Sequence, residues 1–524
     1  MRISTAQFYQ NTATNYQRNL SNALKSAEQA SSGIKVETAG DDPVGAARLL
    51  QLGQQSALLS QYNTNITALK TAQAQEESVL DTINTVLQKI SELAVRSGSV
   101  SLNDADRTSI AAEVGQAEEQ LLGLMNSKDA AGNYMFSGAS NDVAPFSRNA
   151  DSTYSYNGDQ SQLELKIGDS MSLGLNDSGW SVFQQAINAS RTATTMTAPA
   201  VDDGRVALSP GLVTSSPEFN SKFQGGEPYT LSFISSTQFQ IKDAAGNDVT
   251  AEASEGGVFD PTVKGGSDVT FRGVTFALDV TFKSTDDLGN ADSLIAGHSF
   301  QLLAKPDSFA STRSPGNPST ALVSNTTVTN KTDYAGFFPE GGAVLKFTSD
   351  STFELYASPL TSGSEPVSKG SVSGGVATAA GVSFTLDGTP AANDQFNISV
   401  NTHQTQNVLD TVSQFRKALE APIQGSDVAQ RSFDNAVAST IANLGNAKGQ
   451  VDLARGAIGA RGNVMAMQSE SNQSASLINA STQSSIRDTD PAEVLTRLTL
   501  QQTMLQAAQL AFAKISQLGL FNKV

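Results

Sequence analysis

The most informative part of this sequence is residues 52–94, LGQQSALLSQYNTNITALKTAQAQEESVLDTINTVLQKISELA. Its apolar and small residues recur at alternating steps of three and four, the heptad spacing of a helix that packs lengthwise against other helices. As one helix it is about 65 Å long at 1.5 Å per residue, so we expect another long helix beside it. The heptad positions are Leu52, Gln55, Leu59, Tyr62, Ile66, Leu69, Gln73, Glu76, Leu80, Ile83, Leu87, Ile90 and Ala94.

The same spacing occurs in two other regions. It resumes after residues 97–99, Ser-Gly-Ser, which indicates that the chain folds back there. It also runs through the C-terminal part, where Asp490 and Pro491 form a helix start signal that repeats Asp42 and Pro43. The positions are Ile110, Val114, Ala117, Leu121 and Leu124, then Val437, Ile441, Leu444, Lys448, Val451, Arg455, Ile458 and Met465, then Val494, Leu498, Leu505, Ala508, Phe512 and Ile515.

The middle of the chain has a different pattern. Between about residues 141 and 402, Gly-, Ser- and Thr-rich turns separate short alternating runs, which predict β-strands. Two stretches resemble each other, so we infer a duplicated β-module between the helical ends. Leu231, Phe233, Ser235, Phe239 and Ile241 match Leu345, Phe347, Ser349, Phe353 and Leu355, and the runs that begin at Gly273 and His298 match those that begin at Gly381 and Asp394.

The predicted fold is α+β and multidomain, with long N- and C-terminal helices paired in a coiled-coil-like stalk and a β-rich head inserted between them. The expected domains are a terminal helical assembly region (1–45 with 485–524), a helical bundle stalk (46–140 with 405–484), a small β-rich connector (141–205), and β-modules at 206–310 and 320–402.

Composition and motifs exclude several functions. The chain of 524 residues has a formal charge of −17 and no Lys/Arg cluster, which argues against nucleic acid or an anionic membrane as partner. With 0 Cys and 2 His, we expect no metal site and no cofactor. No nucleophile elbow, Walker loop or His-Glu-x-x-His motif occurs in the sequence, so none of these signatures points to catalysis. The acidic run 286–292 is interpreted as a turn rather than a calcium loop. The repeated Asp-Ala-Ala-Gly-Asn at 129–133 and 243–247 also predicts a turn, with Asp first and Gly fourth.

The outermost ends carry apolar stripes with no domain of their own to cover them. We expect the seam of residues 52–94 to be buried inside an intramolecular bundle. We expect the two ends, in contrast, to pair and then bury their remaining apolar faces against other subunits. The predicted subunit-assembly interface is Phe8, Tyr16, Leu20, Leu498, Leu505 and Phe512.

Two motifs resemble those of the flagellin superfamily. Residues 31–36, Ser-Ser-Gly-Ile-Lys-Val, followed by Asp-Asp-Pro at 41–43, are similar to its N-terminal signature, and residues 458–463, Ile-Gly-Ala-Arg-Gly-Asn, are similar to its C-terminal one. Residues 1–5, 132–138, 156–159 and 514–521 resemble a junction member of the superfamily more than a filament subunit. The motif residues are Ser32, Gly33, Asp41, Asp42, Gly459, Ala460, Arg461 and Asn463.

The resemblance implies a structural protein of the bacterial flagellum, an adaptor at the hook–filament junction, and not an enzyme. Its implied partners are further copies of itself in a ring, hook-associated protein 1, flagellin and a flagellar export chaperone. It implies an extracellular location reached by type III export without a cleaved signal peptide. The candidate chaperone contacts lie within about 490–524 and are Leu495, Leu498, Leu505, Phe512 and Leu520.

Two alternatives stay open at this point. One is a filament flagellin, which differs from the junction protein in the sequence of its two extreme ends. The other belongs to a different class, a glycan-binding or hydrolytic β-domain protein carried on a helical stalk, because the spacing of carboxylates in a sugar-cleaving site is three-dimensional.

Overall fold

The computed structural model describes residues 5–99, 101–263, 266–339, 341–361 and 363–520, and for residues 5, 6, 8, 9 and 515–520 the description covers the backbone. The predicted α+β architecture, with helical ends around a β-rich middle, is confirmed. The helices are α1 (Thr5–Ser32), α2 (Pro43–Ser97), α3 (Asp104–Met125), α4 (Ser216–Glu218), α5 (Gln224–Gly226), α6 (Ala291–Ile295), α7 (Lys331–Phe337), α8 (Val408–Glu420), α9 (Asp427–Arg487) and α10 (Pro491–Leu520).

Within the described residues the strands fall into five sheets, and every strand pair in them is antiparallel. They are β1 (Phe146–Arg148), β2 (Tyr154–Tyr156), β3 (Glu164–Gly168), β4 (Met171–Gly174), β5 (Thr192–Ala198), β6 (Val206–Leu208), β7 (Leu212–Val213), β8 (Tyr229–Phe233), β9 (Phe239–Lys242), β10 (Ser267–Phe271), β11 (Val274–Val280), β12 (Ser299–Ala304), β13 (Ser308–Arg313), β14 (Leu322–Val328), β15 (Ala343–Phe347), β16 (Thr352–Ala357), β17 (Ser368–Ser373), β18 (Val376–Ala379), β19 (Val382–Asp387) and β20 (Gln395–Asn401).

The chain forms two compact units. The first comprises Met1–Gln75, Leu163–Leu175 and Ala457–Val524, and the second comprises Glu76–Gln162 and Asn176–Gly456. The first unit has a small apolar core in which the β3–β4 hairpin packs on the long helices. Its fully buried members are Ile66, Leu69, Ile167 and Met465.

The heptad seam of residues 52–94 lies in one continuous helix, α2, as its spacing predicts. Ile66, Leu69, Leu80, Ile83, Leu87 and Ile90 are all almost completely buried. The chain folds back after Ser97, and Asn103 caps α3 by accepting hydrogen bonds from the amides of Ala105 (2.8 Å) and Asp106 (3.0 Å). An ion pair of 2.9 Å between Arg96 and Glu113 joins the end of α2 to α3.

The duplicated β-module is confirmed by strand order and register. The outer strand β5 pairs with β12, which pairs with the hairpin β8–β9, and in the same way β13 pairs with β20, which pairs with β15–β16. Phe233 is opposite Phe239, and Phe347 is opposite Phe353, so matching residues occupy matching ladder positions. Each module has its own apolar core.

The module boundaries differ from those expected. Strand β5 lies before residue 206, in the predicted connector, yet it pairs with β12 and so belongs to the first β-module, here Thr192–Ala304. Strand β13 crosses the expected end at residue 310 and pairs with β20, so the second β-module is Ser308–Asn401. Both strands pair with a partner about 90 to 110 residues away, which local spacing does not reveal. The rest of the proposed domain division stays a prediction.

Candidate functional site

The two terminal helices of the first unit, α1 and α10, pack against each other, as the apolar stripes at both chain ends predict. One hydrogen bond between them runs from Gln509 Nε2 to Tyr16 Oη at 3.1 Å. Tyr16, Leu498 and Leu505 are half-buried in this pair, whereas Leu20 and Phe512 are exposed at 37% and 41%. The backbone of Phe8 lies in α1 and that of Leu520 in α10, and the side chains of both lie outside the described residues.

The N-terminal motif forms the turn that follows α1. Gly33 adopts a φ of 70°, a left-handed conformation that suits glycine, and its amide donates to Gln29 O at 3.0 Å, which ends the helix. Ser32 Oγ accepts a hydrogen bond of 3.2 Å from the amide of Ile34. The turn therefore has a defined local geometry set by its own sequence.

This turn also binds the segment between α9 and α10. Ile34 forms an antiparallel bridge with Asp488, the amide of Lys35 donates to Arg487 O (2.6 Å), and the amide of Thr489 donates to Gly33 O (3.0 Å). These backbone bonds join the segment directly after α1 to the segment directly before α10. The sequence motif does not predict this contact, because backbone groups form the bonds and the identity of the side chains does not determine them.

The two aspartates of the N-terminal motif have separate tasks. Asp41 Oδ2 accepts hydrogen bonds from the amides of Glu37 (3.2 Å) and Thr38 (2.9 Å), and its Oδ1 lies 2.5 Å from Lys25 Nζ. The Lys25 ammonium group holds the pKa of the Asp41 carboxyl well below its usual range. Asp42 Oδ1 caps α2 by accepting from the amide of Gly45 at 2.9 Å. The motif thus fixes the chain direction between α1 and α2.

Helix α10 begins as its start signal predicts, with Asp490 Oδ1 accepting a hydrogen bond of 2.8 Å from the amide of Ala492. Val494 is completely buried. Several large apolar side chains on the rest of the helix remain at least 41% exposed, which is the usual mark of a surface that another protein covers. They are Leu495, Leu500, Met504, Leu510 and Phe512.

The C-terminal motif takes no part in the contact between the turn after α1 and the segment before α10. Gly459, Ala460, Arg461 and Asn463 lie within the uninterrupted helix α9, and Asn463 is 24 residues before Arg487, or about 36 Å along the helix axis. Among the described residues, no atom outside the local helix lies within 4 Å of a Cβ built on Gly456, Gly459 or Gly462.

The acidic segment 286–292 forms a single 3₁₀ turn, Leu288–Asn290, that leads into α6, and its carboxylates have partners. Asp286 pairs with Arg205 at 2.7 Å, Asp287 Oδ1 accepts from the amide of Gly289 at 3.0 Å, and Asp292 Oδ1 accepts from Ser236 Oγ at 2.6 Å. These bonds support the turn interpretation over a calcium loop. Within the described residues, no group of three or more His, Asp or Glu side chains is arranged to hold a metal ion. None of the described helices is long and apolar enough to cross a membrane.

Comparison with known proteins identifies relatives of both ends. The family model for the bacterial flagellin N-terminal helical region matches residues 3–141, and that for the C-terminal helical region matches residues 441–522. Flagellar hook-associated protein 3 of Salmonella typhimurium is 28% identical over 259 residues, 49% of this chain and 79% of that protein. The protein of the same name from Escherichia coli K12 is 32% identical over 183 residues, 35% of this chain and 57% of its own length.

The fold also has a solved counterpart. The crystal structure of flagellar hook-associated protein 3 from Legionella pneumophila superposes with a TM-score of 0.51 at 20% identity, covering 82% of this chain and 97% of that one. The likeness at this identity is one of fold.

Proposed function

Because this chain belongs to the flagellin superfamily and resembles flagellar hook-associated protein 3, we propose that it is a structural subunit of the bacterial flagellum at the hook–filament junction. The observation that carries the proposal is the pair of helices α1 and α10, on which several large apolar side chains remain exposed in the single chain. A terminal helix with this composition gains its stability from burial against neighbours, which suits a protein that assembles.

The assembled state would be a ring of identical subunits. The side chains that close it would include Phe8, Tyr16, Leu20, Leu498, Leu505 and Phe512. Hook-associated protein 1 on one side and flagellin on the other would be its neighbours, and the subunit would reach this extracellular position by type III export. Its named relatives are flagellar structural proteins, and this chain would likewise have no catalytic role.

A flagellar export chaperone would hold α10 before assembly. The exposed Leu495 and Phe512, together with Leu498, Leu505 and Leu520, are the candidate contacts. Apolar surface on a 30-residue helix needs cover until it reaches its final partners. Loss of the chaperone contact should reduce the amount of this protein exported, whereas loss of the ring contact should leave export unchanged.

Deletion of the gene tests the junction role. We expect electron microscopy of the deletion strain to show hooks without filaments, with flagellin released into the medium. Filaments of normal length in that strain would contradict the proposal.

A pair of point variants tests the interface. Leu510 is 67% exposed on α10, so Leu510→Asp should leave the fold of the single chain intact but prevent filament growth, because a charge would be buried at the subunit contact. Gln502→Asp, at an exposed polar position of the same helix, is the matched control and should support filaments. Measurement of both proteins in the culture medium separates failed assembly from failed export. Filaments of normal length with Leu510→Asp would show that the face of α10 around Leu510 is not part of the subunit interface.

A further inference from the structure

The connector between β5 and β6, residues 199–205, is held by a cluster of charged side chains. Arg205 binds Asp286 through two hydrogen bonds, from Nε to Oδ2 (3.1 Å) and from Nη2 to Oδ1 (2.7 Å). Its Nη1 donates to Asp203 Oδ2 at 2.7 Å. The other carboxylate oxygen, Asp203 Oδ1, accepts from the amide of Arg205 (3.0 Å) and also contacts His298, the residue directly before β12.

His298 is 5% exposed, and both of its ring nitrogens face oxygen atoms. Nε2 lies 3.0 Å from Asp203 Oδ1, and Nδ1 lies 2.8 Å from the carbonyl oxygen of Ile295 at the end of α6. Burial alone would raise the pKa of Asp203, but hydrogen bonds from His298 and Arg205 lower it to about 2, so its carboxylate is ionised at neutral pH. A carboxylate and a carbonyl oxygen only accept hydrogen bonds. The ring therefore needs an N–H on both nitrogens to bind them, which is the charged imidazolium form.

The elements around His298 supply one charged partner to its ring. Among the described residues, Asp203 is the charged side chain in contact with the ring, and the neighbouring Asp202 bonds within the connector instead. On α6, the carboxylate of Asp292 is bonded to the turn between β8 and β9. Strand β8 contributes backbone groups, since the amide of Phe233 donates to His298 O at 2.9 Å. The contact between the ring and the connector thus depends on a single ion pair.

The second β-module ties its equivalent connector, residues 314–321, without a histidine. Asp394 occupies the position that matches His298, and it accepts hydrogen bonds from the amide (3.2 Å) and the hydroxyl group of Ser319 in that connector. Burial would raise the pKa of Asp394, but hydrogen bonds from the amide of Ala391 and from Ser319 lower it. This tie therefore keeps its charge state around neutral pH, whereas the tie in the first β-module requires a proton on the ring.

We propose that His298 and Asp203 form a proton-dependent clasp that holds the β5–β6 connector in the first β-module. The neutral ring has one N–H, so either Asp203 or the carbonyl oxygen of Ile295 then faces a nitrogen lone pair. Whichever nitrogen loses its proton, the ion pair with Asp203 is lost. A histidine that gains a carboxylate partner on folding contributes stability at low pH that is lost as the pH rises. The clasp is therefore closed in mildly acidic medium and weakened in alkaline medium.

Hydrogen exchange of the full chain at about pH 5.5 and about pH 8, on either side of the ordinary histidine pKa, tests the clasp. Each measured rate is divided by the intrinsic chemical rate at that pH, which gives a protection factor. We expect the protection of the amides in 199–205 to fall at least about fivefold at the higher pH, because the ion pair is lost. The amides in 314–321 of the second β-module are the internal control and should change much less. Equal changes in the two connectors would overturn the proposal.

The 2 histidines of the chain provide a matched pair of variants. His298→Gln should make the protection of 199–205 independent of pH, whereas His403→Gln, after β20, should keep the wild-type dependence.

NMR of the wild-type chain with ¹⁵N-labelled histidine gives a readout that does not depend on the fold of the His298→Gln variant, and the His403→Gln variant assigns the two rings. We expect both ring nitrogens of His298 to be protonated at about pH 5.5 and one of them at about pH 8. A His298 ring that is the same at both pH values would exclude the clasp, as would pH dependence that persists in His298→Gln.

Discussion

Glu118 on α3 is completely buried and is the centre of an ionic cluster. Its carboxylate accepts hydrogen bonds from Arg148 Nη2 (2.6 Å), Tyr154 Oη (2.7 Å) and Arg416 Nε (2.7 Å). These bonds join the β1–β2 hairpin and helix α8 to α3. Removal of the Glu118 charge would leave Arg148 and Arg416 without their main buried partner. Loss of one partner from a buried ion pair is strongly destabilising, because the remaining charge is no longer compensated.

We therefore expect Glu118→Gln to lower the free energy of unfolding by about 3 kcal/mol or more. Urea denaturation followed by the fluorescence of Trp180 measures it. The neighbouring Glu119 also pairs with Arg148 but is largely exposed, so Glu119→Gln should cost under about 1 kcal/mol. Equal losses in the two variants would show that burial of Glu118 does not determine the strength of the cluster.

The buried carboxyl of Asp410 on α8 should make the stability of the fold depend on pH. Burial raises the pKa of its carboxyl to about 6, although the amide of Tyr154 donates to Oδ1 at 2.8 Å. The folded-state pKa lies above the unfolded one, so this group contributes stability below about pH 4 that is lost as the pH rises through 6. Asp410→Asn should be more stable than the wild type by about 1 kcal/mol at pH 8, with no advantage below about pH 4. A difference in melting temperature that is the same at every pH would contradict it.

For single residues, the hydrogen bonds of a local motif could be predicted from the sequence, whereas contacts with residues farther along the chain could not. The repeated Asp-Ala-Ala-Gly-Asn segments form the same turn, in which Asp129 and Asp243 accept hydrogen bonds from the amides of Asn133 (2.9 Å) and Asn247 (2.8 Å). All the groups involved lie within five residues. The ion pair of Asp41 with Lys25 escaped prediction, because it depends on which side of α1 faces the following turn.

The hairpin turns of the β-modules carry the next prediction, at the scale of elements. Gly381 precedes β19 with a φ of 75°, and a Cβ there would lie 2.3 Å from Asn330 O. Gly374 also has a positive φ, of 58°, but open space around it. Gly381→Ala should lower the free energy of unfolding by at least about 2 kcal/mol, and Gly374→Ala by about 1 kcal/mol, since the second carries only the backbone strain. Calorimetry of both variants checks the order, and the reverse order would contradict the close approach.

Elements whose signal is local agree with the sequence, whereas elements defined by pairing between distant segments agree only in part. The heptads of α2 and the proline starts of α2 and α10 depend on neighbours one turn away, and all three predictions are confirmed. Assignment of β5 to the first β-module needs a partner at residues 299–304. The α1–α10 pair was predicted from two stripes, but the bridge from Ile34 to Asp488 was not.

At the scale of the whole molecule, stability should be unevenly distributed. Among the described residues of the first unit, one small apolar cluster is formed by Ile66, Leu69, Ile167 and Met465, whereas each β-module has a larger, continuous apolar core of its own. Hydrogen exchange of the monomer should therefore be fast in α1 and α10 and at least about tenfold slower in β8, β12, β15 and β20. Mass spectrometry of peptic fragments measures it, and equal protection in helices and strands would contradict this distribution.

The duplication of the β-module has a consequence for folding. Strands β8 and β15 present the same ladder register to β12 and β20, so each could accept the wrong partner while the chain collapses. Such an exchange would produce a compact but misassembled chain, a known risk of tandem repeats. The residues before β12 and β20 oppose it, because His298 contacts Asp203 in the first module, while Asp394 holds Ser319 in the second. Because these contacts differ between the two β-modules, they favour pairing of β12 and β20 with the strands of their own module.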